Sequence, residues 1–66
     1  MKFQERLIEE LKSCGKTQKE LAQALHVRES NIVNWKQGRN LPSLEVFYAL
    51  CRELDVSSDY LLGLDK

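Results

Sequence analysis

The stretch TQKELAQALHVRESNIVNWKQG, residues 17–38, contains two short amphipathic segments with only a few residues between them. Thr17 and Glu20 have the spacing of a capping box, in which the hydroxyl and the carboxylate each accept a free backbone N–H at a helix start. Apolar residues then recur on one face of the helix that follows: Leu21, Ala22 and Leu25. The sequence therefore predicts a short helix that starts after Thr17 and buries this face.

The second segment follows a sharp turn at His26. Histidine is one of the few non-glycine residues enriched at positive φ, so we assign His26 to the turn in preference to a catalytic or pH-sensing role. The next helix ends near Gly38 and carries Val27, Ile32 and Trp35 at roughly helical spacing. Its other face holds hydrogen-bonding side chains that are poor core material: Arg28, Glu29, Ser30, Asn31 and Asn34. Such a face needs a purpose other than core packing.

A further helix is predicted before this stretch. Phe3, Leu7 and Leu11 recur at intervals of four, with Ile8 alongside, as on the buried stripe of an amphipathic helix. Gly15 is a natural stop for this helix because glycine adopts the left-handed conformation at little cost.

Two more helices are predicted after the stretch, with Ser43 and Ser57 as their N-caps. Pro42 disfavours helix immediately before it, and Gly63 ends the last helix. The fourth helix is expected to turn these residues inward: Leu44, Phe47, Leu50, Cys51 and Leu54. Since no segment alternates with period two for long, the predicted fold class is all-α, with five short helices around one core in a single domain, residues 1–66.

The composition, 42% hydrophobic and 30% charged, is typical of a soluble globular domain. No apolar run approaches the roughly 20 residues that span a membrane, and the first ten residues carry acids where a signal peptide needs an apolar stretch. We therefore expect a cytoplasmic protein in which Cys14 and Cys51 stay reduced. A single histidine, His26, supplies no ligand set for structural zinc, so no metal or other cofactor is expected.

The formal net charge is zero, but the charges are unevenly distributed. Residues 12–40 contain six basic and two acidic residues, whereas residues 41–66 contain five acidic and two basic ones. Such a chain can present a positive face to phosphate while it stays neutral overall.

The combined pattern resembles the phage-repressor (Xre/Cro-like) helix-turn-helix family. The matching positions run over nearly the whole chain: residues 17–22, Leu25, Val27, Ile32, Trp35, residues 38–45 and residues 57–63. The resemblance implies a compact five-helix, lambda-repressor-like DNA-binding domain with the helix-turn-helix at helices 2 and 3. Two helices joined by so short a turn cross closely only where a small residue lies between them, and Ala22 is placed for this.

In this family the third helix lies in the DNA major groove, so the resemblance gives the polar face of residues 27–38 a role in recognition. It implies that the base-reading residues are Arg28, Glu29, Ser30, Val33 and Asn34. It implies that the phosphate-contacting residues are Thr17, Gln18, Asn31, Gln37, Arg39 and Asn40. The lysines at 12, 16 and 19 would add positive potential around them.

Three positions depart from the family pattern. Arg28 stands where a serine or threonine usually caps the recognition helix, so the start of that helix is not fixed by the sequence. His26 stands where glycine is common, and Lys36 stands where an acidic residue is frequent. At Lys36 the change adds positive charge close to the expected path of the DNA backbone.

The resemblance implies a small transcriptional regulator, a repressor from a phage or prophage-like setting, bound to two-fold symmetric double-stranded DNA. We expect a homodimer formed through Tyr60, Leu61, Leu62 and Leu64, together with Phe47 or Tyr48. Since 66 residues leave no room for a ligand-sensing domain, switching would rely on a regulatory protein partner, proteolysis or concentration.

An enzyme is not expected, because the chain has no histidine–carboxylate or cysteine–histidine spacing, no glycine-rich phosphate loop and too few residues for a closed pocket. The alternative that stays open is a protein-interaction module, such as an antitoxin or a regulatory subunit whose main partner is a protein.

Overall fold

Five α-helices, and no strand among residues 1–65, make up the part of the chain that the computed structural model describes; Lys66 lies outside it. The helices are α1 (Phe3–Ser13), α2 (Gln18–Leu25), α3 (Glu29–Lys36), α4 (Leu44–Leu54) and α5 (Ser58–Leu62). The all-α prediction and the order of the five helices are confirmed.

Side-chain caps fix the starts of three helices. The Thr17 hydroxyl accepts the Glu20 N–H at 3.0 Å and the Glu20 carboxylate accepts the Thr17 N–H at 2.9 Å, which is the predicted capping box. Ser43 and Ser57 cap α4 and α5 in the predicted way, each accepting the N–H three residues later. Arg28 is the N-cap of α3 but makes no side-chain hydrogen bond, so α3 begins at Glu29 without a cap of this kind.

Four helices end in the same way: a left-handed residue and the residue after it each donate a backbone N–H to a carbonyl of the last turn. The left-handed residues are His26, Gly38, Asp55 and Gly63, with φ between 56° and 78°. At the end of α2, for example, Val27 donates to the Ala22 carbonyl at 3.0 Å and His26 to the Gln23 carbonyl at 3.2 Å. His26 is therefore the turn residue that the sequence predicts, with φ 57°.

The hydrophobic core draws on every helix. Ten side chains form it: Phe3, Leu7, Leu21, Ala22, Leu25, Ile32, Trp35, Leu50, Leu54 and Leu61. The ring of Phe3 meets that of Phe47 edge to face, with 6.0 Å between the ring centroids. Because most of these residues come from the predicted inward faces, helical periodicity identified the core correctly.

Two apolar residues do not lie where we predicted. Leu44 is 83% exposed, because the buried stripe of α4 is centred on Leu50 and Leu54 and Leu44 lies about 100° around the helix from that centre. Leu61 is 0% exposed, so it belongs to the core and cannot contribute to an interface as we expected. Tyr60 is partly covered by Arg6, whose guanidinium lies 4.6 Å from the ring centroid.

A side chain from the first turn of α1 caps the C-terminal end of α3. The Gln4 side-chain amide donates to the Lys36 carbonyl at 2.9 Å, which satisfies one of the free carbonyls at the helix end. Gly38 follows with φ 74°, and a Cβ atom there would lie 2.8 Å from the Gln4 Oε1 atom. Arg39 in turn donates its backbone N–H to the Asn34 carbonyl at 3.0 Å. The path of the chain after α3 is therefore fixed by α1 as well as by α3 itself.

His26→Gly should raise the free energy of unfolding by up to about 1 kcal/mol, because the left-handed backbone costs a side-chain-bearing residue more than glycine loses in entropy. The matched control is Ala24→Gly at an exposed position inside α2, which should lower the same quantity by about 1 kcal/mol. Urea titration of both variants measures this. Equal destabilisation by the two substitutions would contradict the role of His26 in the turn.

Gly38→Ala should destabilise the protein more than Gly15→Ala. Both glycines have positive φ, but a Cβ at Gly15 meets nothing within 4 Å whereas one at Gly38 displaces Gln4 from its hydrogen bond. Gly38→Ala should lower the free energy of unfolding by about 0.5–1.5 kcal/mol more than Gly15→Ala does, which is a typical net value for one hydrogen bond. In a Gln4→Ala background the excess should vanish, and its persistence there would show that Gln4 is not the cause.

Candidate nucleic-acid interface

The α2–turn–α3 unit is held rigidly against the core. Three residues separate Leu25, the last residue of α2, from Glu29, the first of α3. Ala22 on α2 is 3% exposed, and its carbonyl accepts the Val27 N–H across the turn. Ile32, wholly buried, anchors α3 from the other side. The position of α3 relative to α2 is thereby set by packing and by backbone hydrogen bonds together.

The outward stripe of α3 follows from its buried residues. Since Ile32 and Trp35 point into the core, the residues within about 50° of the opposite direction are Ser30, Val33, Asn34 and Gln37. Ser30 and Gln37 are exposed, and Val33 and Asn34 are half-buried. Gln37, which we expected to contact phosphate, thus lies on the same stripe as three of the predicted base readers.

The other predicted base readers lie at the start of α3. Arg28 and Glu29 are both exposed, and Arg28 has extended backbone with φ −82° and ψ 150°. The Arg28 guanidinium is in none of the ion pairs formed within residues 1–65, so its donors are available to a partner. No predicted base reader is buried, so all five are accessible.

The predicted phosphate-contacting residues lie at the starts of α2 and α3 and after the end of α3. Thr17 and Gln18 lie at the start of α2, and Asn31 lies in the first turn of α3. Arg39 and Asn40 lie after α3 and are exposed. Gln18 is linked to α3 directly, because the Lys36 Nζ donates to its Oε1 at 3.1 Å. The sequence alone did not reveal this link between the two helices.

The lysines around α2 are not equivalent. The Lys16 Nζ lies 2.6 Å from the Glu53 Oε2, and this hydrogen bond raises the pKa of Lys16. Its charge is therefore offset by a carboxylate, and it adds less positive potential than we expected. Lys12 lies 4.0 Å from the Glu9 carboxylate, a looser pair on two exposed side chains. The hydrogen bonds of Glu20 with Thr17 lower the pKa of its carboxyl below the ordinary value.

No group of three or more His, Cys, Asp or Glu side chains within residues 1–65 could hold a metal ion. None of the five helices is long and apolar enough to cross a membrane. Cys14 and Cys51 are free and half-buried, and burial raises the pKa of the Cys51 thiol. The thiol of Cys51 is therefore protonated at neutral pH.

Known proteins resemble this chain along most of its length. A profile of the helix-turn-helix family matches residues 7–61. The chain is 35% identical over 66 residues to the HTH-type transcriptional regulator ImmR of Bacillus subtilis, covering all of this chain and 52% of that protein. It is 30% identical over 63 residues to the cryptic phage CTXphi transcriptional repressor RstR of Vibrio cholerae, covering 96% of this chain and 56% of that protein.

The chain spans about half the length of the curated relatives that it matches. The matched range, residues 7–61, includes the capping box, the left-handed turn at His26 and the whole of α3. The agreement of profile and geometry shows that this chain belongs to the helix-turn-helix family, of the phage-repressor type.

Proposed function

We propose that this protein binds double-stranded DNA sequence-specifically and regulates transcription, with α3 in the major groove. The observation that carries the proposal is the outward stripe of Ser30, Val33, Asn34 and Gln37 on a helix locked by its opposite face. A major groove about 12 Å wide admits such a helix and presents a distinct donor and acceptor pattern for each base pair. The names of the two relatives, a transcriptional regulator and a transcriptional repressor, support a regulatory role.

The proposed base readers have suitable chemistry. Glu29 can accept from the cytosine amino group, Asn34 can bridge two atoms of adenine, and Val33 can meet a thymine methyl. Arg28 and Ser30 would complete the set at the start of α3. In this arrangement Gln37 would lie above the groove one turn beyond Val33 and Asn34, between the base edges and the backbone.

The proposed phosphate contacts would fix the orientation of α3 without reading sequence. Thr17, Gln18 and Asn31 would hold the backbone on one side, and Arg39 and Asn40 on the other. The bond from the Arg39 N–H to the Asn34 carbonyl supports this arrangement, because it ties a phosphate-contacting residue to a base-reading one.

A protein-interaction module remains the competing hypothesis. A gel-shift assay with duplex DNA from upstream of the gene, at low and moderate salt, separates the two functions. Saturable binding that survives random competitor DNA supports regulation of transcription, whereas no binding at either salt concentration would favour a protein partner.

We further propose that two copies of the chain associate through a surface that we call the α4–α5 face, made by Leu44, Tyr48 and Leu62. Leu44 and Tyr48 are 83% and 63% exposed. Two adjoining depressions, of about 680 and 240 Å³, share Leu44, Phe47 and Leu62 in their linings. Exposed apolar residues that cluster in this way are typical of interaction surfaces.

The occupant of the α4–α5 face would be a second copy of the chain. Arg52 and Asp55, of opposite charge, both line the larger depression. In a two-fold interface each surface meets its own copy, so Arg52 of one subunit can face Asp55 of the other. Since α4 and α5 pack chiefly against α1, α2 and each other, this association would leave α3 free for DNA. A dimer that contacts two half-sites at once would also have a higher apparent affinity for DNA than a single copy of the chain.

Leu44→Glu should convert the dimer to a monomer, because association would bury the new charge without a partner. The fold should persist, because position 44 is exposed in the single chain. Gln23→Glu, which introduces the same charge at an exposed position on α2, should leave the dimer intact. Sedimentation at tens of micromolar, with and without DNA, measures both. A wild-type protein that is monomeric under both conditions would disprove the dimer.

Asn34→Ala and Arg39→Ala should affect DNA binding in different ways. Asn34→Ala would remove a base contact worth about 1–3 kcal/mol and relax preference mainly at one position of each half-site. Arg39→Ala would weaken binding to all sequences alike and lower the salt slope by about one unit. Both variants should fold, since neither side chain is in the core. Binding-site selection at two salt concentrations tests this, and a change in base preference for Arg39→Ala alone would refute the placement of α3.

A further inference from the structure

The cleft where α1, α2 and α3 meet is lined by three lysines and by no acidic residue. It has a volume of about 330 Å³, and its polar lining consists of Lys12, Lys16, Thr17, Gln18 and Lys36. A lining with this charge favours an anion. The three lysines differ, however, in what already neutralises them.

Only Lys36 of these three lacks a carboxylate partner within the described residues 1–65. Lys16 is paired with Glu53 at 2.6 Å and also donates to the Glu53 carbonyl at 3.3 Å. Lys12 is paired loosely with Glu9. Lys36 instead bonds to a neutral amide, that of Gln18. Its full positive charge is therefore available to a ligand.

The bond between Lys36 and Gln18 also fixes the orientation of the amide. An ammonium group can only donate, so the oxygen of the Gln18 amide must face Lys36. Its NH₂ group, with two donors, is then left for another acceptor, and the Lys36 ammonium keeps two of its three donors. The pair thus presents only donors, and the natural ligand for such a pair is a phosphate oxygen.

The backbone of Lys36 is held in place as firmly as its side chain. The Lys36 carbonyl accepts an N–H of the Gln4 side-chain amide at 2.9 Å. Lys36 is the last residue of α3, directly before Gln37. Lys36 therefore has a fixed position relative to the outward stripe of α3. A phosphate at the Lys36–Gln18 pair would lie beside the groove that α3 is proposed to enter.

We infer that Lys36 and Gln18 form one clamp for a phosphodiester of the DNA backbone, joining α2 to α3. Lys36 supplies the charge, and its bond to Gln18 turns the amide donors towards the phosphate. Lys36 is thus a phosphate-contacting residue beyond those that the family pattern implies, and Lys16 in the same cleft is not one. The inference rests on the proposed binding of DNA.

The test compares Lys36→Met with Lys16→Met, since methionine removes the charge and keeps most of the aliphatic chain. Dissociation constants are measured over a range of salt for the upstream duplex and for a random duplex. Lys36→Met should weaken binding to both about tenfold at low salt and lower the salt slope by about one unit. Lys16→Met should leave the slope unchanged, because the Lys16 ammonium is bonded to Glu53 and makes no phosphate contact in this arrangement. The reverse pattern would overturn the inference.

A double-mutant cycle tests whether the two residues act together. Gln18→Ala should weaken binding less in the Lys36→Met background than in the wild type, because the amide has already lost its orientation. Equal effects in both backgrounds would overturn the clamp while leaving the proposed DNA binding intact. If the wild type binds neither duplex, the proposed function fails and the inference falls with it.

Nuclear magnetic resonance separates DNA from free phosphate. The side-chain NH₂ signals of Gln18 should shift on addition of duplex in the wild type and not in Lys36→Met. An equal shift with inorganic phosphate alone, at matched ionic strength, would identify a general anion site and overturn the assignment to the DNA backbone.

Discussion

The close crossing of α2 and α3 is the constraint on which the rest of the structure depends. An isolated helix of eight residues is unstable in water, so α3 exists because Ile32 and Trp35 bury one of its faces. Ala22, a small residue of α2, is buried in the core, and the turn is closed by the Val27 N–H bonded to the Ala22 carbonyl. The same packing that makes α3 stable decides which of its residues face outward.

The helix ends extend this control beyond α3. Gly38 turns the chain so that the Arg39 N–H donates to the Asn34 carbonyl. The side-chain amide of Gln4, from α1, donates to the Lys36 carbonyl. Residues proposed to contact bases and residues proposed to contact phosphate are thus parts of one hydrogen-bonded unit. In the proposed complex these hydrogen bonds, already formed without DNA, would reduce the ordering that association requires.

Ion pairs decide which charges are available on a protein with no net charge. Glu53 offsets Lys16, and Asp65 pairs with Arg6, whose guanidinium also stacks on Tyr60. Both pairs draw on the acidic C-terminal part of the chain. Lys36 and Arg39 at the end of α3 belong to none of the ion pairs within residues 1–65. Folding therefore leaves unpaired positive charge at the end of α3, on Lys36 and Arg39, although the protein as a whole has no net charge.

The sequence by itself determined the features that act over three or four residues. The capping box of Thr17, the turn at His26 and the inward faces of the helices depend only on neighbouring residues and on helical period, and the structure has them, apart from Leu44 on α4. Contacts between residues distant along the chain were decided only by the tertiary structure. Lys16 and Glu53 are 37 residues apart, and Lys36 and Gln18 are 18 residues apart. The exposure of Leu44 and the burial of Leu61 belong to the same class, because an apolar residue at a helical spacing is buried only where another helix covers it.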